Sequence, residues 1–381
     1  MNLRAHLLAG QVIPAQPLAL DRSRRFSEKH QRALTRYYVA AGSGGLAVGV
    51  HSTQFEIRRP QHGLFRPVLE LAADTVRAEL PRINQIRTPV TQVGTPLRGV
   101  RDQPAEPPQP SAPSPAPRDF ALIAGICGHT PQALAEAELA RSLGYHAGLV
   151  SMAAFATEPE DAILAHIAAV ADAIPVIGFY LQPAVGGRIF SYAFWRQFAE
   201  IPNVVAIKIA PFNRYQTLDV IRAVVAAGRD DLALYTGNDD TIVADLLTPF
   251  TFPHEGRPVT RRIAGGLLGH WGVWTRAAVE LFRQAQSAAR GPQLDAAWLG
   301  RAAAVTDMNA AVFDAANRFH GCIPGILEVL RRQGLVETTH CLNPNEVLSP
   351  GQSEELDRVT AAYPDLADDI FVAEHRDRWL R

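Results

Sequence analysis

Lys208 sits in an apolar run, Val204-Val205-Ala206-Ile207-Lys208-Ile209-Ala210, and is one of only two lysines in a chain with 35 arginines. Arginine stays protonated, whereas a desolvated lysine can lose its proton and become a nucleophilic amine. Such an amine attacks a ketone to form a Schiff base, an electron sink for making or breaking a carbon–carbon bond. The alternative is a strand-end lysine that lays its stem on apolar surface and lifts its ammonium into water. Other residues could serve the first chemistry. Tyr180, in Phe179-Tyr180-Leu181-Gln182-Pro183, offers a phenol that donates or accepts a proton. His51, Ser52 and Thr53 offer an imidazole and two hydroxyls, although adjacent hydroxyl residues also build turns. Asp239 and Asp240 follow Gly237-Asn238; their carboxylates would accept from polyol hydroxyls or sit at a helix start. His270, beside Trp271, could titrate near neutral pH or be an oriented, non-catalytic group.

These residues fall where a repeated strand–helix pattern would end its strands. Short apolar or β-branched runs at 11–15, 45–50, 120–126, 146–151, 175–180, 203–209, 231–236 and 262–268 predict strands. Amphipathic stretches near 25–41, 64–83, 130–143, 158–172, 191–199, 213–227, 239–247 and 273–290 predict the helices between them. Eight such units predict an α/β fold, a (β/α)8 TIM barrel, although a doubly wound sheet shares the alternation. The strand runs are apolar on both faces, as in parallel strands covered by helices. In a barrel the C-terminal strand ends share one mouth, so Lys208 would face Tyr180, Ser52 and Thr53 across it. Thr130-Pro131 predicts a helix start with a capping hydroxyl before a first-turn proline.

The barrel is expected to span 1–292, with a proline-rich insertion at about 86–118. Eight of the chain's 28 prolines fall between 96 and 117, a composition that predicts an extended or disordered surface segment. Beyond it the tail, 293–381, reads as helical near 294–316, 321–333 and 352–362, and is expected to pack on the barrel and contribute to an oligomer contact. A net charge of −1 argues against nucleic acid as a default partner. Cys127, Cys322 and Cys341 are too scattered for a disulfide framework or zinc knuckle. Neither a membrane span nor a good signal peptide is evident, so a cytoplasmic protein is expected.

Taken in order, these motifs resemble the dihydrodipicolinate synthase / N-acetylneuraminate lyase family of class I aldolases, over nearly the whole chain outside the insertion. Gly42 to Phe55 resembles the family's strand leading into a Thr-Thr-Gly-Glu-type loop, and Ile123-Ala124-Gly125 its third strand. Val176 to Gly187 resembles its Tyr-Asn-x-Pro-x-x-x-Gly motif, and Val205 to Ile209 its Gly-Ile-Lys motif. Ile323-Pro324 followed by Gly334-Leu335-Val336 resembles its C-terminal pattern. The resemblance implies that Lys208 is the Schiff-base lysine and Tyr180 its proton relay. It implies that Ser52 and Thr53, or His51 one register step earlier, hold the carboxylate of a pyruvate-like 2-oxo acid. Asp239 and Asp240 would occupy the region where sugar-acid lyases bind substrate hydroxyls. No metal or organic cofactor is implied, and the assembly would be a homo-oligomer, a dimer or tetramer.

Departures from the family pattern redirect the expectation. Leu181 replaces the asparagine after the tyrosine, and Val185 replaces the synthase arginine for a second carboxylate, with Arg188 three residues on as a candidate substitute. The aromatic pair at the subunit interface is not evident in Ser151-Met152-Ala153-Ala154-Phe155. The reading is therefore a lyase or aldolase acting on a 2-oxo acid and an aldehyde or sugar acid, with dehydration of a hydroxylated acid as a close variant. Two rivals stay open: a metal-dependent, enolate-forming barrel lyase with its cation at Asp239 and Asp240, and a non-catalytic barrel used for ligand sensing or partner binding.

Overall fold

The computed structural model describes residues 1–86 and 119–381. Apart from its first residue, the proline-rich insertion expected at about 86–118 lies outside the described residues. Among the described residues ten strands follow one another: β1 (Val12–Pro14), β2 (Gly45–Val48), β3 (Ala121–Ile126), β4 (Ala147–Val150), β5 (Val176–Leu181), β6 (Val204–Ala210), β7 (Ala233–Thr236), β8 (Phe250–His254), β9 (Arg257–Arg261) and β10 (Gly265–Leu268). Eight of them form a parallel sheet in the order β1-β10-β7-β6-β5-β4-β3-β2. A parallel bridge between Ala15 and Ala47, with Gln16 N–H donating to Ala47 O at 2.9 Å, brings β1 back to β2 and closes the sheet. The fold is the expected (β/α)8 barrel.

The apolar strands sort their side chains by alternation. Ile13, Ala47, Ile123, Leu149, Ile177, Phe179 and Leu267 fill the barrel interior. Leu46, Val48, Ala124, Val150, Ile207, Ile209 and Leu234 pack outward, against the helices. Those helices, Glu28–Ala41, Phe65–Ile86, Thr130–Ser142, Glu160–Ala173, Tyr192–Glu200, Arg214–Ala226, Ile242–Leu247 and Thr275–Arg290, follow the barrel strands in turn. Local capping supports some starts: the Asn213 side chain accepts from the N–H groups of Tyr215 and Gln216, and Ser191 accepts from Phe194 N–H. Thr130 does not cap its helix. His129 holds the cap position, and the Thr130 hydroxyl pairs with His166 Nδ1 at 2.9 Å instead.

Three pieces were not foreseen, the last tail helix, Asp369–Trp379, among them. Helix Leu3–Leu8 plugs the N-terminal end of the barrel: Leu7 joins the interior cluster, and its carbonyl accepts from the Tyr235 hydroxyl at 2.8 Å. The hairpin β8–β9 precedes the eighth barrel strand, turning at Glu255 and Gly256, both at positive φ. Pro253 and Pro258 hide it in the sequence, because proline argues against a strand; here they face each other in an isolated two-stranded ribbon.

The tail supplies helices Ala297–Val312, Cys322–Arg332, Gln352–Ala362 and Asp369–Trp379. Its dock is Asp368, a buried carboxylate that accepts from Tyr37 Oη at 2.7 Å, Arg276 N at 2.9 Å and Gln333 Nε2 at 2.9 Å. Nearby, Trp379 is buried against Tyr37 and Phe371. Such a satisfied carboxylate fixes the approach of the tail, since unpairing it would leave a desolvated charge. Among the described residues no helix is long and apolar enough to cross a membrane.

Candidate active site

Register decides what surrounds Lys208. Its Cα pairs with Phe179 on β5 and Tyr235 on β7. Side chains on neighbouring strands at the same level share a face, so Phe179 points inward with Lys208 and Tyr180 points outward. The ammonium nitrogen lies 4.3 Å from the centre of the Phe179 ring. Tyr180 is buried in the helical layer against Trp195, 4.9 Å between ring centres, and its hydroxyl accepts from Phe190 N–H at 3.4 Å. The phenol expected beside the amine is thus on the other side of the strand, because one residue of offset reverses the face.

The amine reaches its position across Gly237. A Cβ there would stand 2.6 Å from Lys208 Cε and 2.7 Å from Ala210 Cβ, too close for either to remain in place. Gly237→Ala is therefore expected to displace the lysine side chain at a cost of about 1–3 kcal/mol in packing. The rate of imine trapping should fall at least about tenfold, as a misplaced nucleophile implies. An unchanged trapping rate would show that the lysine has room to relax.

Lys208 lines a cavity of about 80 Å³ at the C-terminal mouth, together with His51, Ser52, Phe179, Asp239 and Cys322. A water needs roughly 10–15 Å³ of such space, so the enclosed part takes a group the size of a small 2-oxo acid, and the empty space reaching out to solvent is about 660 Å³. Desolvation lowers the lysine pKa to about 8, against the opposing pull of Asp239 and Cys322. The same desolvation raises that of Asp239, which the Lys208 charge and a 3.4 Å hydrogen bond from His270 N–H only partly offset. His51 is pushed down to about 4, by desolvation first and then by Lys208, so its ring is neutral at pH 7. The Cys322 thiol is pushed up by burial and by Asp239, and is neutral too.

The other expected residues are placed elsewhere or committed. Ser52 reaches the cavity, but its hydroxyl donates to Ala15 O at 3.0 Å. Thr53 is fully buried outside the lining; its hydroxyl donates to Gln16 O at 2.7 Å and accepts from the N–H groups of Gly49 and Val50 at 3.0 and 3.2 Å. It builds the turn that carries His51 and Ser52. Asp240 is exposed and outside the lining. Arg188 donates to Phe155 O at 2.9 Å and Glu158 O at 2.8 Å, and stacks on Phe190 rather than entering the cavity. His270 is buried behind the wall, with its pKa lowered to about 4 by desolvation. Asp239 and Asp240 therefore do not converge, and among the described residues no group of three or more His, Cys, Asp or Glu could hold a metal ion.

Several lining residues escaped sequence reading. Phe179 is one of them, because only the register of β5 against β6 sets it on the lysine's face. Phe313, Phe319, Cys322 and Ile326 come from the tail, more than 100 residues from Lys208 in sequence, and no local pattern points them at the mouth.

The chain is similar to known proteins in sequence over part of its length and in fold over nearly all of it. No protein-family model matches the chain. The 4-hydroxy-tetrahydrodipicolinate synthase of Synechococcus elongatus is 30% identical over 130 residues, which is 33% of this chain and 42% of that protein. The enzyme of the same name from Dechloromonas aromatica is 30% identical over 150 residues, 39% of this chain and 49% of that one. The chain thus spans less than half the length of these curated relatives. Solved structures extend the likeness of fold. Dihydrodipicolinate synthase from Agrobacterium tumefaciens superposes with a TM-score of 0.65 at 18% identity, covering 94% of this chain and 99% of the other. N-acetylneuraminate lyase from Fusobacterium nucleatum gives 0.65 at 15% identity, covering 93% and 99%. The chain is thus similar to 4-hydroxy-tetrahydrodipicolinate synthases in sequence over part of its length, and shares over nearly all of its length the fold of dihydrodipicolinate synthase and N-acetylneuraminate lyase.

Proposed function

We propose that the chain is a Schiff-base-forming lyase or aldolase acting on pyruvate or a related 2-oxo acid with an aldehyde, and that Lys208 is its nucleophile. The observation that carries this reading is a desolvated lysine, lowered in pKa, near the C-terminal end of β6 and lining the mouth cavity. Neutral Lys208 adds to the ketone carbon, and loss of water leaves a protonated imine. Removal of a C3 proton gives the enamine. Its carbon attacks the aldehyde, the aldehyde oxygen takes up a proton, and water hydrolyses the new imine to return the amine. Cleavage runs the same steps backwards. With Tyr180 turned into the helical layer, Asp239 is the carboxyl in the lining that serves proton exchange; its raised pKa leaves it partly protonated nearer neutrality than an ordinary aspartate. His51, neutral, and Ser52 flank the place for the substrate carboxylate.

Incubation with pyruvate and a borohydride reductant, followed by intact-mass and peptide analysis, tests this. A reduced adduct on Lys208 is expected, absent from Lys208→Ala; no adduct with pyruvate or any related 2-oxo acid sinks the proposal. The pH dependence gives a second check. Only the neutral amine attacks, so trapping should climb with pH and level off near 8 rather than near the ordinary lysine value of 10.5. Asp239 favours the charged ammonium, so Asp239→Asn should move the inflection to lower pH. An inflection near 10.5 in the unaltered protein would mean that the amine is solvated.

A further inference from the structure

Resting on the Schiff-base reading, we propose that the apolar part of the cavity lining selects an aldehyde or 2-oxo acid whose distal substituent is apolar, an aryl or branched alkyl group, instead of a polyol or a second carboxylate. Lys208, Asp239 and His51 are close enough to shift one another's charge, and Ser52 follows His51 in the lining. Leu181, level with Ala210 two residues past Lys208, joins Val185, Phe212, Phe313, Phe319 and Ile326 in the rest of the wall. The remaining polar side chains of that part, Gln182 and Cys322, carry no charge at neutral pH. Of the residues expected to receive a second carboxylate or a run of hydroxyls, Arg188 is spent on backbone carbonyls and Asp240 lies outside the lining, while Asp239 is paired in charge with Lys208.

The aromatic wall is held in place by dedicated contacts. Phe212 and Phe319 meet edge to face at 5.8 Å, one from the loop after β6 and the other from the tail. Both have positive φ, 52° and 66°, a conformation that bulky residues rarely adopt and that persists only where surroundings enforce it. Phe212 N–H donates to Asn238 Oδ1 at 3.0 Å. Phe319 N–H donates to Asp314 O at 3.0 Å, and the buried Asp314 carboxylate accepts from Gly321 N at 2.9 Å and Asn317 Nδ2 at 2.6 Å. Phe313 lies against Gly269 at the end of the eighth barrel strand; a Cβ there would come within 3.0 Å of the ring. The tail thus completes the cavity with rings. A charged substituent placed against them would lose water without gaining a partner, and a polyol would leave hydroxyls unpaired.

Calorimetry with 4-phenyl-2-oxobutanoate and 2-oxoglutarate, which differ only in the terminal group, tests the selectivity in the full chain and in Lys208→Ala. The phenyl compound should bind at least about tenfold more tightly in both proteins, since an apolar ring gains by burial and an unpaired carboxylate does not. Phe319→Ser should erase most of that preference, and Phe319→Leu should keep it. In turnover with pyruvate, benzaldehyde should outpace glyceraldehyde. Adduct formation at Lys208 with equal or tighter binding of 2-oxoglutarate would overturn the selectivity and leave the imine chemistry standing. A phenyl preference without any adduct would do the reverse. A preference untouched by Phe319→Ser would place the apolar site elsewhere and overturn the proposal.

Discussion

Lys208→Arg should abolish the borohydride-trapped adduct and lower carbon–carbon bond turnover by at least about 10³-fold, equivalent to about 4 kcal/mol of barrier. The replacement keeps a positive charge beside Asp239 but removes the ability to lose a proton, which arginine lacks under any physiological condition. It therefore separates the charge of Lys208 from its nucleophilicity. Composition makes the measurement clean. The chain's other lysine, Lys29, is exposed on helix Glu28–Ala41, and Lys29→Arg should leave adduct mass and turnover unchanged. Intact-mass analysis and a coupled pyruvate assay read both variants. More than about a hundredth of the turnover surviving in Lys208→Arg, a loss under 3 kcal/mol, would take the imine off the reaction path.

Arg58→Ala should destabilise the protein by about 3–5 kcal/mol and disorder the wall that carries His51 and Ser52. The side chain is 10% exposed and its partner Glu136 8%, so neither charge has water to fall back on. Arg58 Nε donates to both Glu136 oxygens at 2.9 and 3.1 Å, Nη1 to Gly49 O at 3.0 Å and Nη2 to Gly125 O at 2.9 Å. Glu136 also accepts from Cys127 N–H at 3.0 Å and Gln132 Nε2 at 2.8 Å. One guanidinium therefore ties the ends of β2 and β3 to helix Thr130–Ser142. The two strand ends are so close that a Cβ at Gly125 would overlap the Gly49 carbonyl. Removing the arginine strands a buried carboxylate and two carbonyls together. The exposed pair Arg222–Asp219, with side chains 51% and 44% exposed, is the contrast: breaking it should cost less than about 1 kcal/mol. Urea denaturation of the two variants compares them directly. A midpoint for Arg58→Ala as little shifted as that of Arg222→Ala would mean that water replaces the guanidinium.

Much of this architecture is local and was legible. The eight strand runs carry a period-two or doubly apolar pattern, the helices a 3.6-residue pattern, and each is a property of contiguous residues. The inward position of Lys208 belongs to the same class, as does its chemical oddity among arginines. The hairpin β8–β9 and helix Leu3–Leu8 escaped because prolines in the first, and the brevity of the second, weaken the local signal.

The site divides along a different line. Sequence alone placed a lysine at the end of the sixth barrel strand and grouped candidates around it by strand end. It could not say which of Phe179 and Tyr180 shares the lysine's face, because the relative register of β5 and β6 is set by packing between strands, and a single step exchanges inside for outside. Nor could it assign the hydroxyls of Ser52 and Thr53, whose carbonyl partners come from the loop after β1, some 37 residues away. The aromatic wall from the tail is more distant still: Phe313 and Phe319 lie in the turn that the buried Asp314 holds through Asn317 and Gly321. The place of Lys208 is a local fact of composition and strand pattern; what that lysine faces is a sum of long-range contacts that only the folded chain brings together.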